Sequence, residues 1–301
     1  MATRNVRNAN YFQVDKEVSI RKVEGVEILK SKEAWEKFKW VRRFYDKKPK
    51  EGYFIWAKKQ VNIPLSTCIF LCSPLKQNLQ NLVIVEKNLK VNFFGYCLVK
   101  KKSIGITHNV KGKFIIKEGS SVRYVHFHKW GFSDRVKPFY EFILAKNANL
   151  DYTYKCFSSP LNLNLHKRVI VKENSKVDLK IFIDCKNCKV STKEEIELLE
   201  KNSKGSLKIR VVGRENSRII ARSKIIGKEN SRGHIDCKGL IVGRKSTISL
   251  IPELLNLSKN ALLTHEASIG RIEEEQLDYL RSRGFSKKKA IDLLVRGFLR
   301  I

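Results

Sequence analysis

The chain has 301 residues, enough for one large or two modest domains, and 42% of them are hydrophobic, which excludes a disordered chain and permits a packed core. Its 61 basic and 30 acidic residues leave a formal charge of +31, which favours anionic partners such as nucleic acid, phosphate or an acidic protein and says nothing about fold. The lysines are scattered, in short runs such as Lys100 to Lys102 and Lys287 to Lys289, as on a general surface rather than along a binding stripe.

The beginning of the chain lacks the apolar core and cleavage site of a secretory signal. No apolar run approaches the ~18 residues of a membrane span, since the longest, Ile63 to Leu71, is broken by Pro64, Ser66 and Thr67. The reading is a cytoplasmic chain without membrane contact. Its seven irregularly spaced cysteines are then expected as reduced thiols.

Residues 1–50 read as a separate N-terminal helical segment. Ser31 is a plausible N-cap, Trp35, Phe38 and Val41 fall at helical spacing, and the stretch from Lys47 to Gly52 ends the helix. Over 51–269 short runs rich in Ile, Val and Phe alternate with small polar turns, which is a strand signature. The turns resemble one another: Lys172-Glu-Asn-Ser, Lys201-Asn-Ser, Arg214-Glu-Asn-Ser, Lys228-Glu-Asn-Ser and Arg244-Lys-Ser-Thr. From Asn202 to Asn216 to Asn230 the interval is constant, and from Asn174 to Asn202 it is doubled.

A short fixed period of strand plus turn predicts a β-helix, in which each unit buries its apolar face only against its neighbours. By this reading about 14 residues make half a coil and about 28 a full one. The apolar positions Val211, Ile225, Ile241, Leu255 and Ile269 form the expected interior column, and Ser191 to Glu200 departs from it, as an insertion or helical turn would. An antiparallel β-sandwich is the alternative architecture, but it does not require one turn sequence to recur. Residues 270–301 return to helix. Glu273, Glu274 and Glu275 suit a helix N-terminus, Gly284 a stop, and Ser286 the cap of a second helix carrying Ala290, Leu293, Leu294 and Phe298.

Cys237 and His265 are separated by one such full coil, so the repeat places a thiol and an imidazole, both soft-to-borderline metal ligands, at one lateral position on adjacent coils. On spacing alone a buried filler cysteine and a satisfied core histidine are the preferred account of this pair. Glu266 points to the opposite face from His265. Cys185 and Cys188 form a lone CxxC without the second ligand pair of a zinc site or the βαβ context of a redox motif, and read as structural, as do Cys68 and Cys72. His126 and His128 alternate on a strand and share a face; packed histidines beside Trp130 are expected, with a metal site as the alternative. The chain has no P-loop, no GxGxxG after a strand, no GxSxG and no HExxH, so a self-contained enzyme is not expected.

The segment His265-Glu-Ala-Ser-Ile-Gly270-Arg-Ile-Glu-Glu-Glu-Gln-Leu-Asp-Tyr279-Leu-Arg281-Ser-Arg283-Gly284-Phe285-Ser resembles the signature of the SufB/SufD family, and the match continues through Ala290-Ile-Asp-Leu-Leu-Val-Arg-Gly297-Phe298. The segment His234-Ile-Asp-Cys237-Lys-Gly-Leu-Ile-Val-Gly243 is similar to the SufB stretch around its cluster-assembly cysteine, and Cys97 falls where SufB has another cysteine. The retained Cys237 and the Glu266 after His265 are more SufB-like than SufD-like. The chain is shorter than typical SufB, and Ser246 stands where SufB often has a further cysteine.

The resemblance implies a right-handed parallel β-helix subunit of the SUF iron–sulfur cluster assembly system. It further implies a homodimer or heterodimer of SufB/SufD type, an ABC-type ATPase partner, SufC, docked on the C-terminal helices, and apo iron–sulfur proteins as clients. Cys237, His265 and Glu266 would hold a transient iron–sulfur cluster, Cys97 would be a secondary sulfur site, and Tyr279, Arg281, Arg283, Gly284 and Phe285 would contact the ATPase, with no nucleotide bound by this chain. The alternative function, motivated by the charge, is a nucleic-acid-binding basic β-solenoid; it ranks second because the aromatic residues do not interleave with basic ones. A β-helix hydrolase would need a carboxylate cluster that the sequence does not display.

Overall fold

The computed structural model describes residues 9–100 and 105–299. The start of the chain, most of the Lys100 to Lys102 run and the end of the 270–301 segment lie outside the described residues. Among the described residues no helix is long and apolar enough to cross a membrane.

Two sheets face each other. One holds β1 (Tyr11–Val14), β2 (Glu17–Ile20), β5 (Leu65–Leu71), β7 (Lys90–Val99), β9 (Ser121–Lys129), β11 (Asn149–Ser158), β13 (Lys176–Lys186), β15 (Lys204–Arg214), β17 (Arg232–Ile241) and β19 (Leu262–Arg271). The other holds β3 (Val26–Lys30), β4 (Tyr53–Ala57), β6 (Lys76–Val85), β8 (Thr107–Ile116), β10 (Arg135–Leu144), β12 (Asn162–Val171), β14 (Lys189–Leu198), β16 (Arg218–Gly227) and β18 (Thr247–Asn256). Successive strands from β4 onward switch sheets, and each pairs in parallel with the strand two places later. This is the expected parallel β-helix, each coil contributing one strand to each sheet.

Alternation explains why the coils stack. Along β12, Leu163, Leu165, Lys167, Val169 and Val171 point inward and are buried, while the residues between them face out. Each buried Leu, Ile or Val contributes about 1.5–3 kcal/mol when removed from water, and only a neighbouring coil supplies that cover. Corners are made by residues that tolerate left-handed backbone. Asn174 and Asn202 have φ of 55° and 58°, and Asn202 Nδ2 donates to Asn174 Oδ1 at 3.0 Å, one corner stacked on the next. Asn230 continues this corner, its carbonyl accepting from Asn202 N. Asn216 belongs to the opposite corner, where its N donates to Asn187 Oδ1.

Several expectations are corrected. The 1–50 segment is not only helical: β1 and β3 join the two sheets, and β2 closes the first against β1 in antiparallel fashion. Its helix α1 (Ser31–Lys37) is a short one, followed by a 3-10 turn over Lys39–Phe44. Ser31 is the first helical residue rather than the cap, and its hydroxyl donates to the Gln80 carbonyl. Ser191 to Glu200 holds no insertion, since β14 pairs residue by residue with β12 and β16; the apolar pattern fails there because Thr192 and Glu194 occupy inward, fully buried positions. The expected interior column is not one stack. Val211 lies under Gly239 and then Ile269, whereas Ile241 pairs with Gly213 and Arg271, because the connections change length from coil to coil.

The last coil, β18 and β19, has no coil above it. Its inward residues Ile248, Leu250, Leu254 and Leu263 are partly buried, and Ile251, Leu255, Leu262 and Ile269 are exposed. Beyond it α2 (Glu274–Ser282) and α3 (Lys287–Leu299) form a hairpin turned by Gly284, whose φ of 86° is freely available only to glycine. Val295 and Leu299 of α3 pack on Phe182 and Val212 of the outer sheet surface.

Candidate functional site

Cys237 stands at an inward position of β17 and is fully buried. Its stack runs Ile181, Ile209, Cys237, Ala267. Across the interior the Ser223 hydroxyl of β16 lies 3.3 Å from its Sγ. Burial pushes the thiol up to about 11, and the Ser223 contact offsets only part of that. His265 belongs to the adjacent stack, Leu179, Leu207, Ile235, His265. The expected shared lateral position is therefore not found. The coil between β17 and β19 is longer than the period read from the turns, so that Cys237 pairs with Ala267 and His265 with Ile235. His265 thus sits one coil above Cys237 and one pleat to the side, which places their Cα atoms about 8 Å apart.

His265 and Glu266 are both exposed on the open coil. By register His265 continues the inward face and Glu266 the outward one, above Asp236. Asp236 is held by Arg210 through a forked contact, with Nη1 donating to Oδ1 at 2.8 Å and Nη2 to Oδ2 at 2.5 Å. Lys238 Nζ lies 3.9 Å from Glu266. The outermost two coils thus bring a thiol, an imidazole and a carboxylate to one end of the solenoid, the thiol one layer beneath the other two.

On the hairpin Tyr279 is 61% exposed, Phe285 39% and Leu293 45%. The Arg283 guanidinium stacks 5.4 Å from the Tyr279 ring centroid, and Arg281 pairs with Asp278 on the same helix. An open groove lies between the helices, lined by Glu275, Gln276, Tyr279, Leu280, Leu293 and Leu294. Arg214 of β15 ties the hairpin down: its Nε donates to Asp184 at 2.9 Å and its Nη1 to Asp292 at 2.7 Å.

A second cluster, which the sequence pattern left as packed histidines, lies inside the coils. Cys97 of β7 is opposite His128 of β9, and His126 is opposite Gly95. All three side chains are buried, with their ligand atoms within 4.8 Å of one another. Cys97 belongs here and not to the terminal coil. The β7–β9 register is set by longer connections near the N-terminus, and the shorter period read from the C-terminal half misses it. Cys185 and Cys188 are joined by a disulfide with Cα atoms 5.8 Å apart, at the end of β13 and just before β14, which corrects the expectation that all thiols are reduced. Cys68, Cys72, Cys97, Cys156 and Cys237 are free.

The family model described as the SUF system FeS cluster assembly, SufBD core domain, matches residues 73–298. A relative in Archaeoglobus fulgidus, named an iron-sulfur cluster assembly SufBD family protein, is 28% identical over 98% of this chain and 85% of its own length. A SufBD family protein of Methanothermobacter thermautotrophicus is 27% identical over 82% of the chain. The iron-sulfur cluster assembly protein SufB of Bacillus subtilis is 25% identical over 82% of this chain. The chain spans 62% and 55% of these last two proteins. A parallel β-helix with a helical hairpin attached agrees with these matches: the chain belongs to the SufB/SufD family of the SUF iron–sulfur cluster assembly system.

Proposed function

We propose that this chain is a SufB-like scaffold on which an iron–sulfur cluster is built and from which it is handed to apoproteins. Cys237 would take sulfur or iron, with His265 and Glu266 as further ligands. The observation that carries this reading is the position of Cys237, one layer beneath the open coil that bears His265 and Glu266. Thiolate and imidazole suit iron–sulfur chemistry, and the open coil leaves the second and third ligands free to meet a partner.

Two partners follow. Among the described residues β18 and β19 are the edge strands of their sheets, each with its outer edge free, and they carry exposed Ile251, Leu255, Leu262 and Ile269. Such an edge favours pairing with another chain, here a second SufB/SufD-type subunit, the same or a different one. The exposed face of the hairpin, with Tyr279, Phe285 and Arg283, would dock a SufC-type ATPase. Hydrolysis in that partner would supply the work of parting the terminal coil from the one beneath and exposing Sγ of Cys237.

The test is anaerobic reconstitution of the chain and its ATPase with ferrous iron and sulfide. Cluster absorbance in the wild type and its loss in Cys237→Ala are expected. Equal cluster yield in Cys237→Ala would remove the assignment.

A further inference from the structure

We propose that Cys97, His126 and His128 form a binding site for one divalent cation of the zinc class inside the solenoid, separate from the terminal coil. β7 and β17 are five strand spacings apart in one sheet, or about 24 Å, so the two sites share no ligand.

The donor set and its geometry carry the inference. Cys97 Sγ lies 3.8 Å from His126 Nε2, and the two Nε2 atoms are 2.9 Å apart. A tetrahedral ion at about 2.3 Å from sulfur and about 2.0–2.1 Å from nitrogen sets N···N near ~3.3 Å and N···S near ~3.6 Å. These two pairs need shifts of a few tenths of an ångström, and the third, Cys97 Sγ to His128 Nε2, which lies within 4.8 Å, must close by up to about an ångström to seat the ion. One thiolate and two imidazoles suit zinc-class ions and are foreign to magnesium or calcium.

The outer contacts point the same way. His126 Nδ1 lies 3.0 Å from the Tyr152 hydroxyl and His128 Nδ1 2.9 Å from that of Tyr154. With an ion bound, Nδ1–H of each ring would donate to its tyrosine oxygen and leave both Nε2 lone pairs for the metal, the arrangement that orients metal-bound histidines. Without the ion, the 2.9 Å Nε2···Nε2 contact needs a proton on one of the two. Both imidazoles are buried inside the coils. Gly95 makes the room: a Cβ there would stand 3.0 Å from His126 Cδ2 and 2.6 Å from the Tyr124 hydroxyl. On binding, the Cys97 thiol releases its proton to solvent and the sulfur becomes a thiolate ligand. Among the described residues the cluster holds three ligands, which leaves a fourth position for water or an exogenous sulfur ligand. Cys97, a secondary sulfur site by resemblance, is assigned here to metal ligation.

The inference does not rest on the assembly reading, and its test is read without cluster formation. The full-length chain is isolated from zinc-supplemented growth and its metal content measured by mass spectrometry. It is then stripped with chelator in mild denaturant and refolded anaerobically with Co²⁺ as probe. About one zinc per chain and a near-ultraviolet sulfur-to-cobalt charge-transfer band are expected. The band should fall at least tenfold in Cys97→Ser while circular dichroism stays native, and persist in Cys237→Ala. Wild-type chain that folds but holds no zinc and gives no charge-transfer band overturns the proposal, as does a band that disappears in Cys237→Ala and survives in Cys97→Ser.

Discussion

Lys167 and Glu194 stand opposite each other on β12 and β14, both inward and fully buried, with Nζ 3.8 Å from Oε1. Neither head group has a hydrogen-bond partner; the ammonium instead lies 4.4 Å from the Tyr154 ring centroid and 5.4 Å from that of Tyr152. Burial raises the carboxyl to about 7 and lowers the amine to about 8, each against the opposing pull of its partner. The desolvation cost of the pair is therefore only partly offset by its contact.

Removing one member leaves the other buried and alone. Lys167→Met and Glu194→Leu are each expected to cost about 3–5 kcal/mol, while the double variant is neutral or more stable by about 1–4 kcal/mol. Chemical denaturation of the three variants measures this. The sign of the pH effect follows from Glu194, whose folded pKa lies above its unfolded value, so the folded chain keeps that proton longer. Its contribution to stability is full below the unfolded value of 4.5 and declines as pH rises to about 7. The wild type should lose more stability over that interval than the double variant.

Cys237 should react slowly with alkylating reagents. A thiol moved from 9.0 to about 11 has its thiolate fraction at pH 8 lowered about 100-fold. The rate in the folded chain is expected to rise about tenfold for each pH step between about 8 and 10, and to jump on unfolding. Mass spectrometry of the Cys237 peptide after timed alkylation reports it. A folded-state rate equal to that of the denatured chain would contradict the buried placement.

Arg214 joins sheet to hairpin through Asp184 and Asp292. Asp292 is half exposed, so solvent screening trims the contribution to about 1–2 kcal/mol for both contacts. Arg214→Ala should raise hydrogen exchange across Glu274–Ser282 and Lys287–Leu299 while leaving β4 to β16 protected. The apolar seat of Val295 and Leu299 on Phe182 and Val212 should keep the helices attached.

The open edge predicts oligomeric behaviour. Leu262 and Ile251, 60% and 42% exposed on the two terminal strands, would be covered in a paired assembly. Leu262→Asp and Ile251→Asp are expected to shift the chain toward monomer in sedimentation velocity, with unchanged circular dichroism. A wild type already monomeric at micromolar concentration would remove the pairing role from this edge.

The recurrence of Asn174 and Asn202 is legible as stacked corners because asparagine tolerates left-handed backbone better than most residues, and Asn230 continues the stack through its carbonyl. The C-terminal helices are legible for a similar reason, since Gly284 writes the turn into the sequence. Less is legible where residues meet across coils. A constant period puts His265 above Cys237, but a longer connection moves it along by one pleat. The cluster of Cys97 with His126 and His128 stays hidden because the coils that carry it are longer than those whose turns display the period. Ser191 to Glu200 looks irregular only because a buried charge, Glu194, interrupts the apolar code of an otherwise regular strand.

Sequence alone determined that this chain is a coiled stack of strands with a helical tail, and which family it resembles, because alternation, turn chemistry and short signatures are local. Which side chains share a layer was decided only in the folded stack. Lateral position there is the running sum of connection lengths, and lengthening a coil by one pleat repeat leaves every inward residue inward while giving it a different neighbour.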